Sequence, residues 1–423
     1  MRVLLVSKFL HHVGGVETYV RWLAETMQAA GHQVALLGMR PPDGHDPMDF
    51  GEAPLYLTPT RQFVAASSRM RVRSAMSSIY SRAAGATMKR ALSEFSPTVI
   101  HYHGTCYQLT SSVVTAAAAS GAGRVMTAHE YKLVCANQRL WDDAASRICT
   151  RCLGASTAQK FSEPVKASCI KSSRAASAIG GAEAVLSRQV WQRARDVAIH
   201  APSKFMLSTL VDDGWSAGRI RVIDLPWSPG GALMTRAREH FLYMGRLAAE
   251  KDVLTLIKGW HLARDRTGMR RLLVAGDGTE AQQLRDWVRS NKVERVKFLG
   301  RLDAAGIAES LAGAIATVHP AAWFENSPFA VRESISAGVP AVVADVGGMP
   351  ELVRDGLTGH TVAHGVQSWA DAFAEAVHGA AWVPEPGQGV RAAADTYAMT
   401  GPAHLDELLD LYGTAYAWAN DGA

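Results

Sequence analysis

The stretch from Val318 to Val353, VHPAAWFENSPFAVRESISAGVPAVVADVGGMPELV, constrains this chain more than any other. An apolar run, IATVHPA, reads as a strand that ends in a loop of proline and aromatic residues. A helix is predicted to begin at Ser327-Pro328, where serine caps and proline fits the first turn. The helix stops at Gly338-Val339-Pro340, the strand AVVAD follows, and a Gly347-Gly348 loop leads into the next helix. This is half a βαβ unit with its ligand end exposed. Glu325 sits just before the helix and Glu333 about two turns inside it, so both carboxylates can face the crevice above the strand ends. A nucleotide sugar needs such partners, because its ribose and hexose hydroxyls donate to carboxylates while its diphosphate takes backbone N–H groups and cations. The same spacing also fits a Glu325 that merely favours the helix N-terminus and a Glu333 that is solvated.

The rest of the chain repeats the strand and helix alternation. VLLVSK is followed by a turn carrying Gly14-Gly15, a helix over TYVRWLAETMQAAGH, and the strand VALLG. Glycine lets backbone approach a phosphate closely, and the helix directs its positive end at the same spot. Further strands are expected at TVIHYHG, RVMTAHEY and VAIHA, with Ser203 capping the next helix. The second half opens with HFLYMG, then Arg246 to Asp252 and the helix VLTLIKGWHLA, then RLLVAGDG, a helix to Asn291, VKFLG and the helix AGIAESLAGA. Such alternation predicts an α/β fold of doubly wound parallel sheets. With 423 residues there is length for two domains of roughly 200 residues each. The expected division is 1–228, with a Cys-rich insertion at 135–170, then 232–400, with Ser228 to Gly231 as the hinge. The helix HLDELLDLYGTAYAWA, within 401–423, is expected to cross back to the first domain.

The net charge of +5 is modest for this length, and no base-reading motif is present, so no nucleic-acid partner is expected. The N-terminal apolar run is too short for a signal peptide and no window has the roughly 18 apolar residues of a membrane span. A cytoplasmic protein is expected, with any membrane contact made at the inner face. From Arg61 to Arg90 there are seven basic residues (Arg61, Arg69, Arg71, Arg73, Arg82, Lys89, Arg90) and no acidic one. Such a run suits an anionic membrane surface or a phosphate-bearing lipid acceptor, and equally a solvated helix face.

Four of the five cysteines, Cys135, Cys149, Cys152 and Cys169, follow the order C-x13-C-x2-C-x16-C, while Cys106 stands alone. The close pair is the usual chelating element of a structural zinc site, and a loop this poor in apolar residues needs a staple. Disulfides, buried thiols or an iron–sulfur cluster are the other readings of the same residues.

Two cations five residues apart, Arg246 and Lys251, form an anion clamp at a strand-to-helix turn, the first bidentate and the second a mobile point charge. Asp142-Asp143 and Asp212-Asp213 read as loop acids, and no Asp-x-Asp stands where a metal-dependent transferase would use one.

The Glu325 to Glu333 stretch resembles the Glu-x7-Glu signature of the retaining, family 4 type glycosyltransferases. Gly338-Val339-Pro340 and Gly347-Gly348-Met349-Pro350-Glu351 match the segments that follow it in that family. The resemblance implies a GT-B fold, with two Rossmann-like domains facing across a cleft. Arg246 to Lys251 is similar to the family's Gly-Arg-x4-Lys-Gly motif, whose cations bind the donor diphosphate, with Asp252 in place of the glycine. The Gly14-Gly15-Val16-Glu17 turn resembles the one whose second glycine, here Gly15, lies against the donor phosphate. His129 matches the histidine of a T-x-H-[DE] strand end that contacts the donor sugar; His101 and His103 are structural or acceptor-side. Asn326, Ser327 and Phe329 fall on the donor side, but Pro328 stands where the family often has glycine and has no N–H to give. The implied function is a metal-independent, retaining transfer from a nucleoside diphosphate sugar to a saccharide or lipid-linked acceptor of the cell envelope. Glu325 and His129 would act in catalysis, and Glu333 would hold the ribose. A sugar-nucleotide epimerase and a non-catalytic nucleotide-sugar binder are the alternatives.

Overall fold

The computed structural model describes residues 1–11, 13–42, 45, 48–59, 75–227, 238–380, 382–383, 389–390, 393, 395 and 398–420. The chain divides into two compact units. The first comprises Met1–Ala144, Cys149–Asp224 and Pro402–Ala423; the second comprises Ala145–Ile148 and Leu225–Gly401.

The first unit is built on a seven-stranded sheet: β1 (Arg2–Phe9), β2 (Gln33–Met39), β3 (Leu55–Thr58), β4 (Val99–Gly104), β5 (Gly123–Thr127), β6 (Val197–Ala201) and β7 (Ile220–Val222). Their spatial order is β3-β2-β1-β4-β5-β6-β7. Val3 to Val6 of β1 are fully buried, as expected for a strand covered on both faces by helices. The main helices are α1 (Gly15–Ala29), α2 (Arg82–Phe95), α3 (Ser112–Ala116), α4 (Thr157–Ala167), α5 (Arg174–Arg193) and α6 (Lys204–Asp212). Serines start four of them: the hydroxyls of Ser81, Ser156, Ser173 and Ser203 each accept from the backbone N–H three residues on.

The second unit repeats the plan with β8 (His240–Met244), β9 (Arg271–Ala275), β10 (Val296–Gly300), β11 (Ala314–His319), β12 (Ala341–Ala344) and β13 (Gly359–Val362). Their order is β10-β9-β8-β11-β12-β13, all parallel. Its helices are α7 (Val253–Leu262), α8 (Ala281–Ser290), α9 (Ala304–Ala312), α10 (Phe329–Ser336) and α11 (Val366–Val377). The last helix, α12 (Gly401–Asn420), belongs to the first unit from Pro402 onward. Both sheets reverse strand order beside their first strand, between β1 and β4 and between β8 and β11. In open α/β sheets that reversal opens a crevice at the strands' carboxyl ends, where ligands bind. The expected doubly wound α/β architecture is thus present in both halves.

Two sequence expectations need correction. Ser327 does not cap a helix: α10 begins at Phe329 behind Pro328, and the Ser327 hydroxyl accepts instead from the buried Arg332 guanidinium. Asp213 is not a solvated loop acid either. It is 3% exposed and accepts from both Lys160 and Arg188, because a carboxylate removed from water needs cationic partners. The hinge at Ser228 to Gly231, and Arg61, Arg69, Arg71 and Arg73 of the basic run, lie outside the described residues. Lys89 and Arg90 are exposed on α2. No helix among the described residues is long and apolar enough to cross a membrane.

The core of the second unit stacks Phe241, Trp260 and Phe373 edge to face, with ring centroids 4.8 Å and 5.1 Å apart about Phe373. Gly259 lets α7 approach α11 there: a Cβ on it would stand 2.6 Å from Trp369 Cβ and 2.9 Å from the Val366 carbonyl oxygen. Gly413 in α12 would meet nothing within 4 Å. Urea unfolding should therefore show Gly259→Ala losing about 1–3 kcal/mol by overpacking. Gly413→Ala should gain about 0.5–1 kcal/mol from helix propensity alone. Equal effects at both sites would refute this packing.

Candidate functional site

In the second unit the strand-order reversal sets the loop after β8 beside the loop after β11. The first carries Gly245 to Asp252 and the second Pro320 to Pro328. Two tight backbone approaches fix them. Gly276 donates its N–H to the Gly300 carbonyl at 2.7 Å, and a Cβ on Gly276 would lie 1.8 Å from the Gly245 carbonyl oxygen. Gly347, with φ at +66°, lies so close to Glu325 that a Cβ would be 2.5 Å from its carbonyl oxygen, while Gly348 donates to that same oxygen at 2.6 Å. The Ala322 N–H bonds the Glu250 carbonyl at 3.0 Å and ties the loops together.

On this frame the Lys251 ammonium and the Glu325 carboxylate form an ion pair. The Lys251 side chain is 21% exposed and that of Glu325 11%. Lys251 Nζ also lies 5.5 Å from the centre of the Trp323 ring, within cation–π range. Arg246 pairs with the buried Glu250 at 2.7 Å and keeps a 60% exposed side chain. Asp252, in place of the glycine, adopts the left-handed conformation (φ +44°) that aspartate tolerates. Its carboxylate caps α7 by accepting from the Thr255 N–H at 3.4 Å and contacts His364 at 2.8 Å. Asn326 and Ser327 are buried beside Glu325. Phe329 opens α10. Glu333 reaches the surface of α10; its carboxylate has no hydrogen-bond partner among the described residues, and partial burial raises its pKa.

In the first unit the turn after β1 leads into α1, where the buried Glu17 accepts from the Gly14 N–H at 2.9 Å; Gly15 is exposed. His129 follows β5. Its Nε2 lies 3.2 Å from His103 Nδ1. His101 is fully buried between Tyr412 and Thr127, at 2.7 Å from each hydroxyl, and Thr127 reaches His200 Nδ1 at 2.9 Å. His101 is therefore a core residue. Lys8, Cys106, Glu130 and Gln138 form a second polar group at the carboxyl ends of β1, β4 and β5, with Cys106 Sγ 2.9 Å from Gln138 Oε1.

The four clustered cysteines line one cavity of about 20 Å³, with Asn137, Trp141 and Arg151 among its other walls. None forms a disulfide. Burial and the neighbouring thiols push Cys152 and Cys169 up to about 12. Among the described residues, no group of three or more His, Cys, Asp or Glu side chains has the arrangement of a metal-binding set.

Sequence reasoning missed Glu250, Trp323 and Arg332. Arg332 is 2% exposed, with its guanidinium 5.1 Å from the Trp227 ring centre and donating to the Leu225 carbonyl at 2.9 Å. A periodicity that flags the buried face of α10 was the one signal for it.

Residues 14–226 match the family described as Glycosyl transferase 4-like domain, and residues 236–385 match Glycosyl transferases group 1. The chain belongs to the group 1 glycosyltransferases, whose two-domain α/β architecture is the GT-B fold. The glycogen synthase of Mycobacterium tuberculosis (strain CDC 1551 / Oshkosh) is 35% identical over 119 residues, which cover 28% of this chain and 28% of that enzyme. This chain thus spans little more than a quarter of that relative's length. The GDP-mannose-dependent alpha-mannosyltransferase of the same strain is 25% identical over 435 residues, covering 97% and 96% of the two chains. Among solved structures, the apo lipopolysaccharide outer core galactosyltransferase WaaB has a TM-score of 0.66 at 17% identity, covering 98% of this chain and 99% of that one. Anabaena HepE in complex with UDP and glucose has a TM-score of 0.66 at 14% identity, covering 98% and 100%. At these identities the structural likeness concerns the fold alone.

The histidine cluster carries a pH consequence. Burial holds His101, His103 and His200 well below the ordinary histidine value of 6.5, and His129 at about 3. The unfolded chain then binds more protons below about pH 6.5, so their contribution to stability is complete above that value and declines as pH falls toward the folded pKa values. Each imidazole can remove up to about 1.4 kcal/mol per pH unit. Burial raises the Glu17, Glu183, Glu280 and Glu333 carboxyls, which act the opposite way above their unfolded values, but eight histidines are lowered among the described residues, the four of the cluster together with His11, His32, His240 and His319. Urea midpoints measured between about pH 7.5 and about pH 5 should fall steeply; a flat profile would contradict the buried neutral cluster.

Proposed function

We propose that the protein is a retaining glycosyltransferase that moves a sugar from a nucleoside diphosphate sugar to a saccharide or lipid-linked acceptor, without a divalent metal. The observation that carries this reading is the Lys251–Glu325 contact at the strand-order reversal of the second sheet. A cation for phosphate and a carboxylate for hydroxyls are neighbours there, as one small dipolar ligand requires. The leaving diphosphate gains negative charge as the glycosidic bond breaks, and Lys251 and Arg246 oppose that charge. Glu325 accepts from sugar hydroxyls and stabilises oxocarbenium character. Glu333, whose carboxylate is uncommitted among the described residues, holds the ribose. Asn326, Ser327 and Phe329 border the same loop. His129 and the Gly15 turn are assigned to donor sugar and phosphate by the resemblance of their motifs, and the first unit to the acceptor.

The full-length relative is named for GDP-mannose and the HepE structure holds UDP and glucose, so both donor types belong in the first screen. Nucleotide sugars are incubated with the protein in chelator, with saccharide and polyprenyl-linked acceptors, and mass spectrometry scores transfer, hydrolysis, epimerisation and bare binding. Transfer with retained anomeric configuration, read by NMR, is the expected outcome. Epimerised donor, binding without turnover, an inverted product or a need for added metal would each displace this reading. With the active donor, Glu325→Gln and Lys251→Met should each lower kcat by about 10²–10³. Glu333→Gln should instead raise the donor KM by about tenfold, the loss of roughly 1.4 kcal/mol of ground-state binding. Since removing one partner of a partly buried pair also destabilises the fold, the doubly neutral Lys251→Met/Glu325→Gln variant serves as the folding control.

A further inference from the structure

We propose that Cys135, Cys149, Cys152 and Cys169 together bind one zinc ion, which fastens the 135–170 insertion of the first unit. Their four side chains come from the loop after β5, from the turn before α4 and from the residue just past its C-terminal end, yet they border a single cavity of about 20 Å³. That space is room for about one water-sized or ion-sized occupant. Four cysteines lining one pocket, with Cys149 and Cys152 spaced as a C-x2-C chelate, suit a soft, tetrahedral ion better than a hard oxygen-seeking one.

The surroundings are built to hold those cysteines. Asn137 Oδ1 lies 2.9 Å from Cys135 Sγ, and its Nδ2 donates to the Trp141 carbonyl at 2.8 Å and to the Cys169 carbonyl at 3.5 Å. One side chain thus ties two of the four cysteines. Lys160 donates to the Cys152 carbonyl at 2.5 Å and pairs with Asp213, which also accepts from the Gly154 N–H at 3.0 Å. Outer partners of this kind orient ligands that a metal then joins. Among the described residues no set already has metal-ligand arrangement, so the ion must draw the thiols inward across the cavity. On binding, each thiol gives its proton to solvent, and four thiolates around Zn²⁺ leave a net charge of −2. Arg151, which lines the cavity, supplies part of the compensation. The proposal does not rest on glycosyl transfer.

The test uses the full chain, expressed with zinc and purified under reducing conditions without chelator. Metal content by mass spectrometry should give one zinc per chain. Cobalt exchange should produce the thiolate-to-metal charge-transfer and intense ligand-field bands of a tetrahedral sulfur site. Cys152→Ser should lose the ion and Cys106→Ser should keep it. Chelation should expose four additional titratable thiols and lower the melting temperature. If Cys152→Ser fails to fold, the cobalt spectrum and thiol count of the unaltered chain still decide. A reduced chain that carries no zinc and takes up no cobalt overturns the proposal. Bound iron with sulfide, a mapped disulfide among the four, or full zinc content in Cys152→Ser would overturn it equally.

Discussion

The Lys251–Glu325 ion pair is the contact around which the second unit makes physical sense. A pair this far out of water gains little for stability, because desolvation of both charges offsets most of their attraction. Its retention is better explained by what each partner can do for a ligand. On the proposed reading, an arriving diphosphate would compete with the carboxylate for the lysine, and the carboxylate, released in part, would turn to the sugar hydroxyls. Phosphate binding and sugar recognition would then be coupled through one bond. Arg246 and Glu250 repeat the theme nearer the solvent, where the exposed guanidinium can swing between its carboxylate and an incoming anion.

The first unit uses its equivalent strand-order reversal differently. At the carboxyl ends of β1, β4 and β5 lie Lys8, Cys106, Glu130 and Gln138, a polar group whose cation, Lys8, is paired with Glu130. Behind it, the buried histidines bond to hydroxyls, carbonyls and one another, while His103 Nε2 is left without a hydrogen-bond partner among the described residues. Helix α12 is part of this arrangement: its Tyr412 bonds His101, and its His404 bonds both the Tyr19 hydroxyl at 2.8 Å and the Asp224 carbonyl at 2.7 Å. The chain's last helix thus completes a network begun at β4, more than 300 residues earlier in sequence. Such polar groups are costly unless all partners are present, so the network makes the helix a required part of the unit.

The strands, their parallel order and the glycine-marked turns were legible because burial on both faces leaves continuous apolar runs and because close backbone approach leaves glycine. Of the four serine caps only Ser203 of α6 was read from sequence; Ser81, Ser156 and Ser173 carry the same local chemistry but were not singled out. What escaped was pairing at long range. Glu250 looks like any acid in a helix's first turn until the fold buries it against Arg246. Ser327 reads as a cap until Arg332, five residues on and fully buried, takes its hydroxyl. Asp213 reads as a loop acid until α4 and α5 bring Lys160 and Arg188 to it. In each case the side chain's identity was unremarkable and its partner was set by packing, which no local pattern encodes.

Lys251 and Glu325 nevertheless meet, and the reason is steric. Glu325 is positioned by a backbone bond from Gly348 and by the close approach of Gly347, both in the loop after β12. A side chain at Gly347 would push the Glu325 main chain outward and break its register with Lys251. The loop bearing Arg246 is held in the same way from the other side, by Gly276 after β9. The charged residues therefore cannot keep their spacing unless the flanking glycines keep theirs, and a signature that looks like two glutamates is physically a joint property of four strands.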